Sequence, residues 1–541
     1  MGTNPAINRP AAADWAAGPE HVVVVGYGPV AAHFVDQLLP AVKTGRLSVL
    51  VVGEEELPAY NRMLLADLGV GRISAEGMVI SDPQELLDDG VEVLLGTRVS
   101  SIDRARRQVS LADGTSRPYD KLVLATGARA WVPNLQGLDC GPDGLHLLPP
   151  GVTALRDQND AAELRTVVET GGHVVILGGG ILGIEAALAA ADEGATVTVV
   201  YNSPEPLARN LDVGGGTILA ASLRARGIRL ISDAFATGVE LRAQADGQYR
   251  FRALVLAGGT EISGDLLVLS CGIRPRTELA SGADLPAGRG IRVNHRLEAD
   301  TERRIFAIGD CAEVLCQEAG CIECNSREGA GPSGLIGPGW RQAEWLAEQL
   351  GAGAEPHVAP SADGGNGGRL EAEKPAVILL KARGLDLAAA GVVDAEPWDC
   401  GPAGQDSRKV ALWADPEHGC YVKMVTRAGV LEGLISIGMP RTSAELALLF
   451  ERGTELPGDR TVLFHLDALN PPGPPTAPPG RGSTLCRCTG TTVGAVEDAI
   501  AGGCATVVEV ARSTRAGSGC RGCRERIMDL IAASFRHTQT M

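Results

Sequence analysis

At 541 residues the chain is too long for one hydrophobic core, and about 150 residues per domain predicts three or four domains. Hydrophobic residues make up 45% and charged residues 21%, a globular composition, and no apolar run reaches the roughly 18 to 20 residues of a membrane helix. The net charge of -17 argues against a nucleic-acid binder, which needs Lys and Arg to neutralise phosphates; an acidic surface is compatible with a basic redox partner but more often only confers solubility.

Residues 1–19 carry no basic region followed by an apolar core, so they read as a disordered lead-in rather than a secretory signal. Thirteen cysteines, some in C-x-C and C-x-x-C pairs, point to metal chemistry in a reducing compartment, and the cytoplasm is expected.

The first chemical motif follows at once. Residues 21–25 are an apolar strand running into Gly26-Tyr27-Gly28-Pro29-Val30-Ala31, then a helix with Phe34, Leu38 and Leu39 on one face. Residues 47–52 form a second strand ending in Gly53-Glu54-Glu55. This is a G-x-G-x-x-A dinucleotide fingerprint in its required strand–turn–helix–strand context. Gly26 makes the turn, Gly28 lets a pyrophosphate approach the backbone, and Ala31 keeps the helix close to the sheet. Glu54 or Glu55 stands where an acid holds a ribose hydroxyl. The segment Pro58-Ala59-Tyr60-Asn61-Arg62-Met63-Leu64-Leu65 follows.

The pattern then repeats. Residues 173–177 are a strand before Gly178-Gly179-Gly180-Ile181-Leu182-Gly183-Ile184-Glu185, an alanine-rich helix runs to about residue 192, and residues 195–200 form the next strand. Two such units suit one resident dinucleotide and one exchanging dinucleotide, the layout for moving a hydride between a nicotinamide and a flavin. The second strand ends in Tyr201-Asn202-Ser203, with neither the acid that favours NADH nor an adjacent arginine that favours NADPH, so both nucleotides stay open.

Between and after the units lie Lys121-Leu122-Val123-Leu124-Ala125-Thr126-Gly127-Ala128, then Cys271-Gly272-Ile273-Arg274-Pro275, then Ile305-Phe306-Ala307-Ile308-Gly309-Asp310. On these motifs residues 20–350 resemble flavoproteins with two dinucleotide-binding domains, a group that includes rubredoxin and ferredoxin reductases and the flavin portion of assimilatory nitrite reductases. The resemblance implies an α/β fold with two Rossmann-like domains, FAD on the first and NAD(P)H on the second. It places Thr126 and Gly127 at the return to the flavin domain, Gly309 and Asp310 against the flavin's ribityl-pyrophosphate, and Glu185 and Gly272 beside the nicotinamide. It also sets Asn61 and Arg62 near the flavin, with Glu185 and Arg62 as the catalytic candidates. Disulfide reductases of this fold carry a C-x4-C pair near residue 60, and none is present. The implied domains are 20–150 with 265–350 for FAD, and 151–264 for the nicotinamide nucleotide.

Residues 370–465 contain strand-like runs at 376–381, 410–413, 421–426 and 430–437, and Lys381-Ala382-Arg383-Gly384-Leu385-Asp386-Leu387 resembles the start of the small C-terminal domain of the nitrite-reductase branch. A small α+β domain is expected there, packing on the flavin domain or mediating a homodimer. Residues 466–483 include a proline-rich tether, which predicts a separately folded module with freedom to swing.

That module, residues 484–535, holds Cys486 and Cys488, then 31 residues, then Cys520 and Cys523. Four cysteines suit a [2Fe–2S] cluster or a zinc ion equally on ligand count. The approach Thr514-Arg515-Ala516-Gly517-Ser518-Gly519-Cys520 resembles the bacterioferritin-associated-ferredoxin type, which implies a small helical [2Fe–2S] module. Cys504 falls outside the pattern and reads as core. A second group, Cys311, Cys316, Cys321 and Cys324, has no committed role.

The whole then reads as an NAD(P)H-dependent FAD/[2Fe–2S] oxidoreductase. In the nitrite reductases it resembles, a sirohaem domain follows the cysteine module, and residues 524–541 are too few for one. The expected partner is therefore a separate acceptor, an assimilatory nitrate or nitrite reductase catalytic subunit. The alternatives are a general ferredoxin- or rubredoxin-type reductase feeding an oxygenase, and a flavoprotein with a zinc-binding docking module.

Overall fold

The structure is a computed structural model that describes residues 18–138, 148–245, 247–315, 331–352, 369–370, 375–398, 407–467, 480–486, 489–519 and 522–538. The chain divides into two compact units. One comprises Met1–Tyr60, Val79–Arg129 and Arg274–Ala372; the other comprises Asn61–Met78, Ala130–Ile273 and Glu373–Met541.

The first unit is built on a parallel sheet in the order Ile305–Ala307, Lys121–Leu124, Glu20–Val25, Leu47–Val52, Val91–Leu94. Strands covered on both faces must be apolar along their whole length, and Val22, Val23 and Val24 are fully buried. The helix Pro29–Lys43 starts with proline at its first turn, where the missing N–H costs nothing, and packs against the helix Ile336–Gly351. His33 Nε2 and Glu344 Oε1 stand 3.0 Å apart between them.

The second unit repeats the device. Its parallel sheet runs Arg229–Ile231, Thr196–Val200, His173–Leu177, Leu266–Leu269, Val152–Thr153. Leu266–Leu269 was expected in the flavin segment beginning at residue 265. It pairs instead with His173–Leu177 at the centre of this sheet, because all four of its residues are buried and need cover on both faces.

Residues 378–437 form an antiparallel sheet in the order Ile378–Ala382, Leu385–Gly391, Val430–Ile437, Cys420–Arg427, Lys409–Asp415. The helix Pro440–Arg452 covers one face through Leu446, Ala447 and Phe450, and a left-handed Gly453 ends it. Within its own unit this layer packs on the helices Ile181–Asp192 and Val213–Ala225 of the second nucleotide unit. Asp212 fastens it. Its Oδ1 caps the latter helix by accepting from Gly215 N at 2.8 Å, while its Oδ2 accepts from Tyr421 Oη and Lys423 Nζ, both at 2.6 Å.

The cysteine module is a short strand pair, Thr484–Cys486 with Thr491–Thr492, and helices Val493–Ala501, Val507–Thr514 and Arg524–Thr538. Thr506 and Glu509 form a reciprocal capping box at the second helix. No described helix is long and apolar enough to cross a membrane.

Candidate functional site

The glycines of the first turn fall into two physical classes. Gly26 has φ +105°, and a Cβ there would run into the Ala125 carbonyl, so only glycine lets the two strand ends approach. Gly28 has an ordinary φ of -94°, and a Cβ on it would meet nothing within 4 Å. It therefore leaves a clear path to the N-terminus of the Pro29–Lys43 helix, where backbone N–H groups lack partners and favour an anion. Ala31 is buried at the helix–sheet seam.

The second turn has the same division of labour. A side chain on Gly178 would strike the Ser270 carbonyl and one on Gly183 the Gly178 carbonyl, while Gly180, at φ -80°, faces open space before the helix Ile181–Asp192. Glu185 lies half-buried in that helix. Both cradles fit a dinucleotide: each has an open glycine at a helix N-terminus that no side chain of the described residues fills.

The carboxylates after the strand Leu47–Val52 are engaged. Glu54 pairs with Arg276 at 2.6 Å, and Glu55 accepts from Tyr60 Oη at 2.9 Å. Thr126 and Gly127 hold the same returning segment, since Thr126 Oγ1 donates to the Arg276 carbonyl at 3.0 Å and Arg276 N donates to the Gly127 carbonyl at 2.9 Å. Gly309 N donates to Gln342 Oε1 at 2.8 Å, which opens the short turn Gly309–Cys311 containing Asp310.

In the second unit Tyr201 occupies the strand end where the acid was missing. Its ring lies over Gly179, it is 3% exposed, and its hydroxyl has no hydrogen-bond partner among the described residues. Burial raises the phenol's pKa, so the hydroxyl keeps its proton near neutrality. The Gly272 carbonyl accepts from Trp131 N at 2.9 Å. Beside it Cys271 donates to the Leu177 carbonyl, and burial pushes its thiol up to about 11. Such a thiol is inert near neutrality, in keeping with the missing C-x4-C pair.

Asn61 and Arg62 open a 3-10 turn, Arg62–Leu64. Arg62 donates to the Arg156 carbonyl at 3.0 Å. Asn61 turns its amide to the cysteine module, donating to the Ser518 carbonyl at 2.7 Å and the Gly519 carbonyl at 3.1 Å. Nothing in the local sequence signals a contact across 457 positions.

Cys486 and Cys523, 1% and 6% exposed, share one small core with Val496, Val510, Ala516 and Ile527. Buried thiolates need a positive partner, and two in one core fit a metal cluster. Cys488 and Cys520 lie outside the described residues. So do Cys316, Cys321 and Cys324, while Cys311 is fully buried and spends its thiol on the Leu124 and Ile308 carbonyls. Cys504 is half-buried against the module core.

Comparison with known proteins agrees with this geometry. Residues 20–328 match the family described as pyridine nucleotide-disulphide oxidoreductase, and residues 484–533 match the BFD-like [2Fe-2S] binding domain. Over 95% of its length the chain is 25% identical to the nitrite reductase [NAD(P)H] of Bacillus subtilis (strain 168), covering 58% of that protein. It is also 25% identical, again over 95% of its length, to the assimilatory nitrate reductase electron transfer subunit of the same organism, covering 59%. The chain thus spans less than two thirds of these relatives. Among solved structures, the covalent putidaredoxin reductase–putidaredoxin complex aligns with a TM-score of 0.66 over 84% of this chain and all of the other, at 20% identity, a likeness of fold. FAD and NAD(P)H are the cofactors of the two nucleotide units, and a [2Fe–2S] cluster is that of the cysteine module. Two parallel-sheet units with paired glycine turns, matched over more than half of its length, settle the lineage: the chain belongs to the pyridine nucleotide-disulphide oxidoreductase family.

Proposed function

We propose that the protein is an NAD(P)H-dependent reductase that delivers single electrons through its cysteine module to a separate acceptor protein, an assimilatory nitrate or nitrite reductase catalytic subunit. The observation that carries this reading is the joining, in one chain, of two open glycine cradles and a module whose buried thiols suit a cluster. When bound, the flavin supplies conversion of a two-electron hydride into single electrons, and the cluster supplies a one-electron store.

The chain's own residues bind and orient. Gly28 and the first turn of Pro29–Lys43 hold the FAD pyrophosphate, and Glu54 or Glu55 takes the ribose side. Thr126, Gly127, Gly309 and Asp310 fix the strand ends around the flavin. Gly180 and the first turn of Ile181–Asp192 hold the nicotinamide nucleotide, Tyr201 meets its ribose, and Glu185 and Gly272 flank the nicotinamide. Arg62 would supply positive charge to a bound flavin, where it would stabilise negative charge. Cys486, Cys488, Cys520 and Cys523 hold the cluster. Burial keeps the Cys271 thiol protonated, so Cys271 is not a relay that competes for the electrons.

The test is metal analysis followed by acceptor reduction. Iron and acid-labile sulfide in equal amounts, with NADH- or NADPH-driven reduction of a one-electron acceptor protein, support the reading. Zinc in place of iron would replace it with a flavoprotein carrying a docking module. Efficient reduction of rubredoxin or ferredoxin, with none of a nitrate or nitrite reductase subunit, would favour the general reductase.

A further inference from the structure

Asn61 is 4% exposed and its carboxamide is fully employed. Oδ1 accepts from Met63 N at 3.1 Å and so caps the Arg62–Leu64 turn. Nδ2 donates to two successive carbonyls, Ser518 and Gly519, at 2.7 and 3.1 Å. These two residues immediately precede Cys520 in the chain.

The loop that Asn61 grips is held from its own side as well. Thr491 Oγ1 donates to the Thr514 carbonyl at 2.7 Å, Ser518 N donates to the Arg515 carbonyl at 3.1 Å, and Arg524 Nε donates to the Gly517 carbonyl at 3.3 Å. These bonds tie the loop to Thr491 and to the helix Arg524–Thr538. Because a trans peptide sets its N–H opposite its C=O, the bond to the Ser518 carbonyl also turns the Gly519 N–H away from Asn61. The amide has thus been spent on the module, and a buried amide so satisfied is costly to detach.

We infer that Asn61 is a docking clamp, a positioning residue that seats the cysteine module on the Asn61–Leu64 turn so that electrons pass within one chain from flavin to cluster. This rests on the reading proposed above. On this reading the module is a resident acceptor. Two electrons enter as a hydride from NAD(P)H and leave singly to an external one-electron acceptor. The proton of the hydride, and the solvent proton taken up with it, return to solvent.

The test uses the full-length holoprotein and two variants that keep an oxygen for the cap but lose the amide NH2, Asn61→Asp and Asn61→Ser; the second covers the case in which the first does not fold. Anaerobic stopped-flow mixing with NADH and with NADPH gives, for each protein, the ratio of the cluster-reduction rate to the flavin-reduction rate. Hydrogen–deuterium exchange reads residues 514–519. The clamp predicts that the ratio falls about tenfold, the scale of a lost buried hydrogen bond, and that exchange at 514–519 rises by a similar factor. An unchanged ratio with unchanged exchange in a folded variant overturns it. If the wild-type cluster is not reduced by either nucleotide, the functional reading fails, and the exchange data still decide the clamp.

Discussion

Replacing Lys423 with methionine is the sharpest test of how the small antiparallel layer is attached. The Lys423 side chain is fully buried, with Nζ 2.6 Å from Asp212 Oδ2 and 3.3 Å from Glu396 Oε1. Glu396 is about half exposed, so water screens that pair and its share is small. Asp212 is 7% exposed at its side chain, and after the substitution it keeps only Tyr421 Oη and Gly215 N to stabilise a buried negative charge. Removing one partner of a buried pair costs roughly 3–5 kcal/mol. Hydrogen exchange of the Cys420–Arg427 amides should therefore speed up by at least about a hundredfold. In the double variant with Asp212→Asn the loss should be smaller than the sum of the two single losses, because the orphaned charge is gone. A change of under about threefold for Lys423→Met would refute the claim that this pair holds the layer to the second nucleotide unit.

Three other outcomes follow from the site. Gly178→Ala should unfold the second nucleotide unit, since its Cβ meets the Ser270 carbonyl at φ +124°, whereas Gly180→Ala should leave the melting temperature nearly unchanged and weaken NAD(P)H binding by about tenfold or more, read by calorimetry. Burial holds His173 below the ordinary histidine range, so the unfolded chain binds the proton first; stability should fall as pH drops through about 6.5 and below, and His173→Gln should flatten that slope. Cys271, with its thiol pushed up to about 11, should resist alkylation at pH 8 in the folded protein and react fully once denatured.

Much of the nucleotide-binding architecture was legible because parallel strands buried on both faces must be continuously apolar. Glu20–Val25 and His173–Leu177 each lead straight into a glycine turn. Spacing alone also found the helix Val493–Ala501 and the paired cysteines. The strand Leu385–Gly391 was missed: its central alanines have weak β-propensity, and it is a strand because Ile378–Ala382 and Val430–Ile437 flank it. Leu266–Leu269 was visible as a strand but not as a member of the second sheet, since an apolar run does not name its neighbour. Lys423 in a β-run reads as a solvated position until Asp212, more than 200 residues away, is brought beneath it. The Asn61 amide is the same case: its partners are backbone carbonyls, which leave no trace in side-chain identity.

The account stands most directly on an anaerobic titration of the purified protein with NADH and, separately, with NADPH, followed by absorbance and by electron paramagnetic resonance at low temperature. It predicts flavin bleaching followed by a reduced [2Fe–2S] signal in the same molecules, with the more effective nucleotide fixing the specificity that Tyr201 leaves open. Flavin that neither nucleotide bleaches, or a cluster that stays oxidised beside fully reduced flavin of higher reducing power, would contradict it.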